Sequence, residues 1–543
     1  MFAENKEHFQ PQLFNTLSEM HPKLLVELEN SWSAVFYREV FCQIDELAFK
    51  DLYSPDNGRP NTPVNILVSL ELIKHLFNYS DEQIMEQYRF NIAVRTALGI
   101  RDFRSSPITI RTLSNFRARL NSYTRENPEK DDLIAVMFRN LTDHFVAVTG
   151  IDTSEQRADS TQIMPNIQRG SRLSIGFDVL KQAVSKIPEA LLTEELREIT
   201  NPKFEKNLLY RSVNSEAKTK LQTVIDLCAK LVEIAEENNL AELESVLLVK
   251  RFLKEQASFD NETGIWIPKA GKDLNSDCLQ SAYDPDVTFR RKGNEDHVGF
   301  VTNIVETCDD NNPVQLIMDF SVEKNNVHDT TLLNERIEII KETGATDLYT
   351  DGGYYSEDVI NNAKAAGIDL HFTNMTGATP NAEKLSVADF EIEGDKIKAC
   401  PLGESSCLSY CNEENGTITA HFDIEKCRNC EHYDYCPTRK GANSAVIVIT
   451  STALLAAQIR KAIQEDLKIN TSKRAAIEGT NSVFKRCGAN DLRVRTLIRS
   501  RMVVGLKITS RNIRQLWRYF TKDFRRNPKS RDRSVQNGDL ALA

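Results

Sequence analysis

The 543-residue sequence has no long hydrophobic run. No segment reaches about 18 uninterrupted apolar residues, and the nearest, Ala445 to Ala457, is broken by Thr450, Ser451 and Thr452, so no bilayer-spanning helix is expected. The opening MFAENKEHFQ has neither the basic n-region nor the apolar h-region of a secretory signal, and a cytoplasmic protein is the expectation. With 11 cysteines in this length, the chain is not a small disulfide scaffold. Net positive charge is missing as well. The 68 Lys and Arg against 78 Asp and Glu leave −10, which on its face disfavours a partner as acidic as DNA.

A hydrophobic content of 41%, a charged content of 27% and a mean hydropathy of −0.41 belong to a soluble globular chain, long enough for three or four domains of roughly 150 residues. The average charge hides an asymmetry. From Lys485 onward the chain carries Arg486, Arg493, Arg495, Arg499, Arg501, Lys507, Arg511, Arg514, Arg518, Lys522, Arg525, Arg526, Lys529, Arg531 and Arg533, opposed by Asp491, Asp523 and Asp532. Such a block reads as a polyanion-binding surface, with a solvated helix face and charged tail as the plain alternative.

Periodicity organises the rest. From Pro63 to Leu120 the pattern is helical: an apolar run from Ile66 to Phe77, then Ser80 and Gln83 spaced as a capping box, then a third helix from about Thr109. In that third helix Ile110, Leu113, Phe116 and Leu120 form an apolar stripe and Arg111, Arg117 and Arg119 point elsewhere, a layout that suits a helix-turn-helix-like DNA-binding module. A strand is expected over Gln156 to Met164. Helical spacing runs from Leu173 to Gln256, clearest at Leu221, Val224, Ile225, Cys228, Leu231 and Val232. A hairpin of Val298 to Val305 and Val314 to Phe320 follows, then a helix from Thr330 to Glu342, a strand from Asp347 to Thr350, a helix from Glu357 to Ala366 and a strand from Ile368 to Thr373. This order describes a mixed α/β sheet with a helical insertion after its first strand.

Six cysteines fall within 37 residues: Cys400, Cys407, Cys411, Cys427, Cys430 and Cys436. Cys427-x2-Cys430 is a chelating pair, Cys436 follows, and Cys400 in a Cys-Pro-Leu-Gly turn supplies a fourth thiolate, so a closed structural Zn²⁺ site is expected. Cys407, Cys411 and His421 leave the ligand set open, as replacements for Cys400 or holders of a second ion.

Three carboxylates sit where a sheet edge or an adjoining helix would present them: Asp159 in the first strand, Asp351 before Gly352-Gly353, and Glu478 in a helical segment. At 100° per residue Arg474, Glu478, Asn481 and Lys485 share one face of that segment, while Ala476, Ile477, Val483 and Phe484 lie toward a core. Converging carboxylates repel one another, and divalent cations relieve the repulsion. Two ions about 4 Å apart can activate an attacking oxygen and stabilise the leaving oxygen of a phosphodiester, with Arg474 and Lys485 holding phosphates beside them. Singly, each acid also reads as a turn, strand-end or solvated helix residue.

These residues carry a resemblance. In order along the chain, Gly58-Arg59-Pro60, Arg157-Ala158-Asp159-Ser160-Thr161, Tyr283-Asp284-Pro285-Asp286, Gly299-Phe300, Glu306-Thr307-Cys308-Asp309, Asp351-Gly352-Gly353-Tyr354, Cys400-Pro401-Leu402-Gly403, Cys427-x2-Cys430-x5-Cys436 and Arg474-x3-Glu478-x6-Lys485 are similar to segments of bacterial insertion-sequence transposases of the DDE superfamily. The last motif is the most specific. The family usually has a tyrosine three residues before that arginine, where this chain has Thr471.

The resemblance implies a multidomain α/β protein: an RNase H-like mixed-sheet core interrupted by a helical insertion and a Cys-rich zinc-binding insertion, preceded by an all-α amino-terminal domain. Residues 1–150 would form the helical, DNA-binding domain, 151–170 and 281–380 the first parts of the core, and 171–280 the helical insertion. Residues 381–445 would form the zinc-binding insertion, 446–523 the final core segment with the Glu-bearing and basic helices, and 524–543 a basic disordered tail. It further implies that Asp159, Asp351 and Glu478 bind two Mg²⁺ (or Mn²⁺) ions, that water cuts double-stranded DNA at the element ends, and that the freed 3′-hydroxyl attacks target DNA. Lys485, Arg486, Arg493, Arg495, Arg499 and Arg501 would join Arg474 in contacting DNA. Asp152 for the first acid, Asp347 for the second and Asp329 as an extra contact are nearby alternatives. A homodimer or larger synaptic assembly, nucleoid-associated in use and without a membrane partner, is expected, with the helical insertion as an interface or else as a lid or plain stabilising packing. Beside the active enzyme stand two other readings: an inactive or domesticated relative that holds DNA without cutting, and a nuclease that cuts without joining.

Overall fold

Helices precede the first strand in the computed structural model, which describes residues 1–10, 16–101, 108–210, 216–375, 385–394, 396–412 and 416–526. They are α1 (Pro22–Glu29), α2 (Trp32–Glu39), α3 (Val64–Phe77), α4 (Asp81–Phe90), α5 (Ile92–Ala97), α6 (Ile110–Glu126) and α7 (Leu133–Thr149). Helix α3 buries Leu67, Val68, Leu70, Leu72, Ile73 and Leu76, positions all round its axis, and so lies at the centre of this group. The capping box forms as its spacing predicts: the Ser80 hydroxyl accepts from the Gln83 N–H and the Gln83 side chain accepts from the Ser80 N–H.

Two expectations for this region are corrected. A fourth helix, α5, stands between the second and third, too short at six residues for a periodic signal and held by the Asn91 cap. The arginines of α6 are not all turned outward: Arg117 pairs with Glu71 at 2.6 Å and Asp81 at 2.7 Å, and Arg119 lies over the Tyr53 ring. Two buried or half-buried acids claim a cation that spacing alone had left for DNA.

Strand β1 (Glu155–Ile163) is followed by α8 (Arg172–Val184), α9 (Glu194–Glu198), α10 (Pro202–Glu205), α11 (Ala217–Glu237) and α12 (Glu244–Gln256), which enclose a core of their own around Phe177, Leu180, Val224, Leu231 and Phe252. This stretch also holds a hairpin the helical reading did not contain, β2 (Ala257–Asp260) with β3 (Ile265–Pro268). Strands β4 (Thr288–Lys292), β5 (Glu295–Thr307) and β6 (Ile317–Lys324), helices α13 (Asp329–Asn334) and α14 (Ile337–Glu342), strand β7 (Asp347–Thr350), helix α15 (Glu357–Ala366) and strand β8 (Asp369–Phe372) come next. The single helix expected from Thr330 to Glu342 is thus two, parted at Glu335 and Arg336, where Arg336 binds Asp319 of β6.

The main sheet has the order β4-β5-β1-β7-β8, with β6 also paired to β5. Strands β4, β5, β6 and β1 pair antiparallel, and β1, β7 and β8 pair parallel. Gly299 of β5 has φ of +150° and a Cβ there would stand 2.2 Å from the Ile163 carbonyl, so only glycine lets the two strands meet at that point. The register sets Asp159 opposite Ile304 and Arg157 opposite Glu306, on the face where Ile163 and Ile304 pack against the amino-terminal helices. Ala158 and Val305 face the other way, into a core with α13, α14 and α15.

Beyond the sheet, β9 (Glu391–Glu393) pairs with β10 (Lys396–Ala399). Strands β11 (Leu408–Asn412), β12 (Thr417–Asp423), β13 (Arg439–Lys440) and β14 (Ser444–Thr450) form a second antiparallel sheet, with α16 (Ile424–Arg428) after β12. The apolar run at Ala445 divides where its polar break lies: Thr450 ends β14 and caps α17 (Ser451–Phe484) by accepting from the Ala453 N–H. Helix α18 (Leu497–Arg526) is the last described element and packs on α3, α7 and β6. Among the described residues no helix is long and apolar enough to cross a membrane. Most of the expected tail, 524–543, lies outside the described residues. The architecture is therefore mixed α/β, a helical amino-terminal region on a mixed sheet.

Candidate active site

Parallel pairing brings two acids to one end of the sheet. Arg157 is the last residue of β1 in register with β7, opposite Tyr349, and Asp159 and Asp351 each stand two residues beyond that pair. Asp351 caps the turn that ends β7, its Oδ1 accepting from the Gly353 N–H at 2.8 Å. Glycine is required next to it, because a Cβ on Gly352 would stand 2.6 Å from the Asn374 carbonyl. The close approach that glycine allows at 352 is thus taken by Asn374.

Helix α17 supplies the third acid. It buries Ile477, Thr480, Asn481 and Phe484, while Ala476 and Val483, expected toward the core, are exposed. The helix is rotated from the expected setting, so that its inward stripe is partly polar. Asn481 donates to Asp159 Oδ2 at 2.9 Å, and Glu478 lies outward with 63% of its side chain exposed. Arg474 is turned in among the acids, 3.7 Å from Asp159, 3.6 Å from Asp351 and 3.2 Å from Glu478. Its Nε and the Asn481 Oδ1 are buried without a hydrogen-bond partner. The alternatives lie elsewhere. Asp347 binds His371 at the opposite end of β7, and Asp152 accepts from the Ser154 N–H before β1 begins. Asp329 is nearer, accepting from Ser160 at 3.0 Å and held by Arg290 at 3.1 Å.

Burial pushes the Asp159 carboxyl up to about 6; Arg474 opposes the rise and Asp351 adds to it. The fully buried Tyr354 hydroxyl, which donates to Asn303 at 2.7 Å, is likewise raised by burial and by Asp159, Asp329 and Asp351. Spacing could not show Tyr354, Asn303 or Thr480 as neighbours of the site, because the contacts join segments far apart in the chain.

Cys400, Cys427, Cys430 and Cys436 line one cavity beside the second sheet. The Cys427 thiol is raised by burial and then by Cys436, Cys400 and Cys430. Cys407 is exposed, Cys411 packs against the apolar core of that sheet, and His421 meets Ser444 at 3.2 Å. All eleven cysteines are unpaired. Among the described residues no three His, Cys, Asp or Glu side chains are arranged to hold a metal ion, either here or around Arg474. The donor types nevertheless fit: three carboxylates with one guanidinium between them, and four soft thiols around one space.

The basic carboxy-terminal residues divide into two sets. Lys485, Arg486, Arg493, Arg495 and Arg499 are exposed, although Arg495 also donates to the Asn166 carbonyl and covers the Tyr283 ring. Arg501 is bound to Glu323 at 2.6 Å, Lys507 to the Cys487 carbonyl at 2.6 Å, Arg511 to Glu306 and Arg514 to the Leu76 carbonyl. Part of the charge that marked this stretch is spent inside the fold.

Two family models match the chain. Residues 26–119 match a Transposase domain (DUF772), covering α2 to α5 and most of α6, and residues 399–517 match a Transposase DDE domain, covering the cysteines, α17 and most of α18. Searches of curated proteins and of solved structures found no match. The second matched segment holds Arg474, Glu478 and Lys485, and the first holds α3, one of the helices on which α18 packs. By these matches the chain carries a transposase domain in its amino-terminal region and a transposase DDE domain in its carboxy-terminal region, both as found in insertion-sequence DDE transposases.

Proposed function

We propose that this chain cuts DNA at the ends of a mobile element and joins the freed 3′-hydroxyl to target DNA, with Asp159, Asp351 and Glu478 as its catalytic acids. The observation that carries the reading is the single guanidinium, Arg474, reached by all three carboxylates within 3.7 Å. Three acids from β1, the end of β7 and α17 share one cation, which is the electrostatic arrangement a divalent site needs. The strand order β6-β5-β1-β7-β8, antiparallel then parallel with the first acid on the central strand, supports an RNase H-like core split between 151–170, 281–380 and 446–523.

DDE transposases typically use divalent metals. Bound Mg²⁺ or Mn²⁺, as a pair, would supply the Lewis acidity that activates the attacking oxygen and stabilises the leaving one. The chain's own part is positional. Asn481 and the Ser160 N–H hold the Asp159 carboxylate in one orientation, the turn at Gly352-Gly353 holds Asp351, and Arg474 offsets the mutual repulsion of the acids. Near neutral pH Asp159 carries its charge and draws a cation into the site. Exposed Lys485, Arg486, Arg493, Arg495 and Arg499 would take the phosphates, and Cys400, Cys427, Cys430 and Cys436 would hold a structural Zn²⁺. A homodimer or larger assembly on paired DNA ends, with α8 to α12 as one interface, completes the reading.

The test is Mg²⁺-dependent cleavage of DNA carrying the ends of the element that encodes the chain. The wild type should nick at the element boundary and transfer the 3′ end to target DNA. Asp159→Asn, Asp351→Asn and Glu478→Gln should each abolish both steps while retaining DNA binding. A wild type that binds these ends but never cuts them would favour the DNA-holding relative, and cutting without joining would favour a nuclease.

A further inference from the structure

The carboxylate of Glu306 is fully buried in β5, yet no substrate can reach it. Arg157, directly opposite in β1, donates to it from Nε at 3.1 Å and from Nη2 at 2.6 Å. The Thr480 hydroxyl of α17 donates to it at 3.0 Å, and Arg511 of α18 binds its other oxygen. Arg157 also donates from Nη1 to the Lys473 carbonyl of α17 at 3.0 Å. The junction therefore grips α17 at Lys473 and at Thr480, one on each side of Glu478, and grips β1 two residues before Asp159.

A buried ion pair adds little net stability over a well-packed apolar replacement, and its best-attested use is to fix register. Register is what α17 needs here. Between Lys473 and Lys485 only Ile477 and Phe484 are buried apolar side chains, and a helix slipping by one residue moves 1.5 Å along its axis and turns by about 100°. We propose that Glu306, acting through Arg157 and Thr480, is a positioning residue that sets the height and rotation of α17, and so places Glu478 against Asp159 and Asp351. The inference rests on the catalytic reading above.

The decisive variant is Thr480→Val, which keeps shape and every charge and removes the hydroxyl that donates to Glu306 and accepts from Arg511. Glu306→Gln is the companion, but it leaves two guanidinium groups facing each other in a dry interior and is open to loss of folding. Three quantities are read on full-length protein: Mn²⁺ affinity by electron paramagnetic resonance without DNA, single-turnover cleavage, and DNA affinity. Thr480→Val should weaken Mn²⁺ binding about tenfold and slow cleavage by about 10²-fold, the scale of a misplacement near 1 Å, with DNA affinity unchanged. Thr480→Ser should restore both. In a Glu478→Gln background Thr480→Val should weaken Mn²⁺ binding no further, since the link acts through Glu478. Wild-type behaviour of Thr480→Val, or an equal loss of Mn²⁺ affinity in both backgrounds, overturns the positioning role while leaving the catalytic reading standing. A wild type that neither binds Mn²⁺ nor cleaves overturns both.

Discussion

Asp159→Asn should make the protein more stable while destroying its activity, and the gain should depend on pH. The Asp159 carboxyl titrates near 6 in the fold against 3.8 as its ordinary value. The fold therefore favours the protonated form, and the stability tied to this group is lost as pH rises from below 4 through 6. The difference of about 2.2 pKa units corresponds to about 3 kcal/mol at pH 8, and to about 1.5 kcal/mol at pH 5, where the group is still largely protonated in the fold. Asparagine has nearly the same shape and carries no charge. Urea unfolding followed by circular dichroism, in chelator, should show the variant ahead by about 3 kcal/mol at pH 8 and by about half that at pH 5. Added Mg²⁺ should stabilise the wild type alone. A variant no more stable than wild type at pH 8, or a gain equal at both pH values, would refute the electrostatic reasoning.

Two further outcomes follow from the thiols and the exposed arginines. Protein purified without added metal should contain zinc by elemental analysis, and Cys427→Ser with Cys430→Ser should lose it; wild-type protein that lacks zinc and shows no thiolate absorption on cobalt substitution removes the structural-site reading. Arg493→Ala with Arg495→Ala should lower the salt slope of DNA binding by about 2, near 0.9 per phosphate contact, whereas Arg501→Ala should leave it unchanged because Glu323 already holds that side chain. An equal change in slope from both would mean that the inward pairing does not decide which arginines meet DNA.

Much of the main sheet was legible because its strands are separated by turn residues. Strand β7 and helix α15 begin and end where their pattern predicts. The hairpin of β2 and β3 was not, since strands of four residues beside a long helical pattern give too little period to read. The split between α13 and α14 was hidden too, because Arg336 fits a helix pattern and only its bond to Asp319 shows the break. At the site, motif spacing singled out the acids but not their surroundings. Helical geometry placed Arg474 and Glu478 on one face, yet set Ala476 and Val483 inward, because apolar residues were given the core by default. The buried stripe instead includes Thr480 and Asn481, whose partners Glu306 and Asp159 lie 174 and 322 residues away. No local pattern encodes such a pairing. Charge counting likewise does not show that Arg511 and Arg501 are paired with Glu306 and Glu323.

The grip of α18 on Glu306 also orders events in time. Asp159 belongs to the first strand synthesised, its partner Asn481 follows 322 residues later, and Arg511 comes later still. At roughly 5–20 residues per second, on the order of half a minute separates the first acid from its helix partner at the ribosome. During that interval the strands of the sheet can pair, but the helix bearing Glu478 has not been made and then has no last clamp. On the catalytic reading proposed above, the site is complete only once the carboxy-terminal helix has been made and packs on α3, α7 and β6.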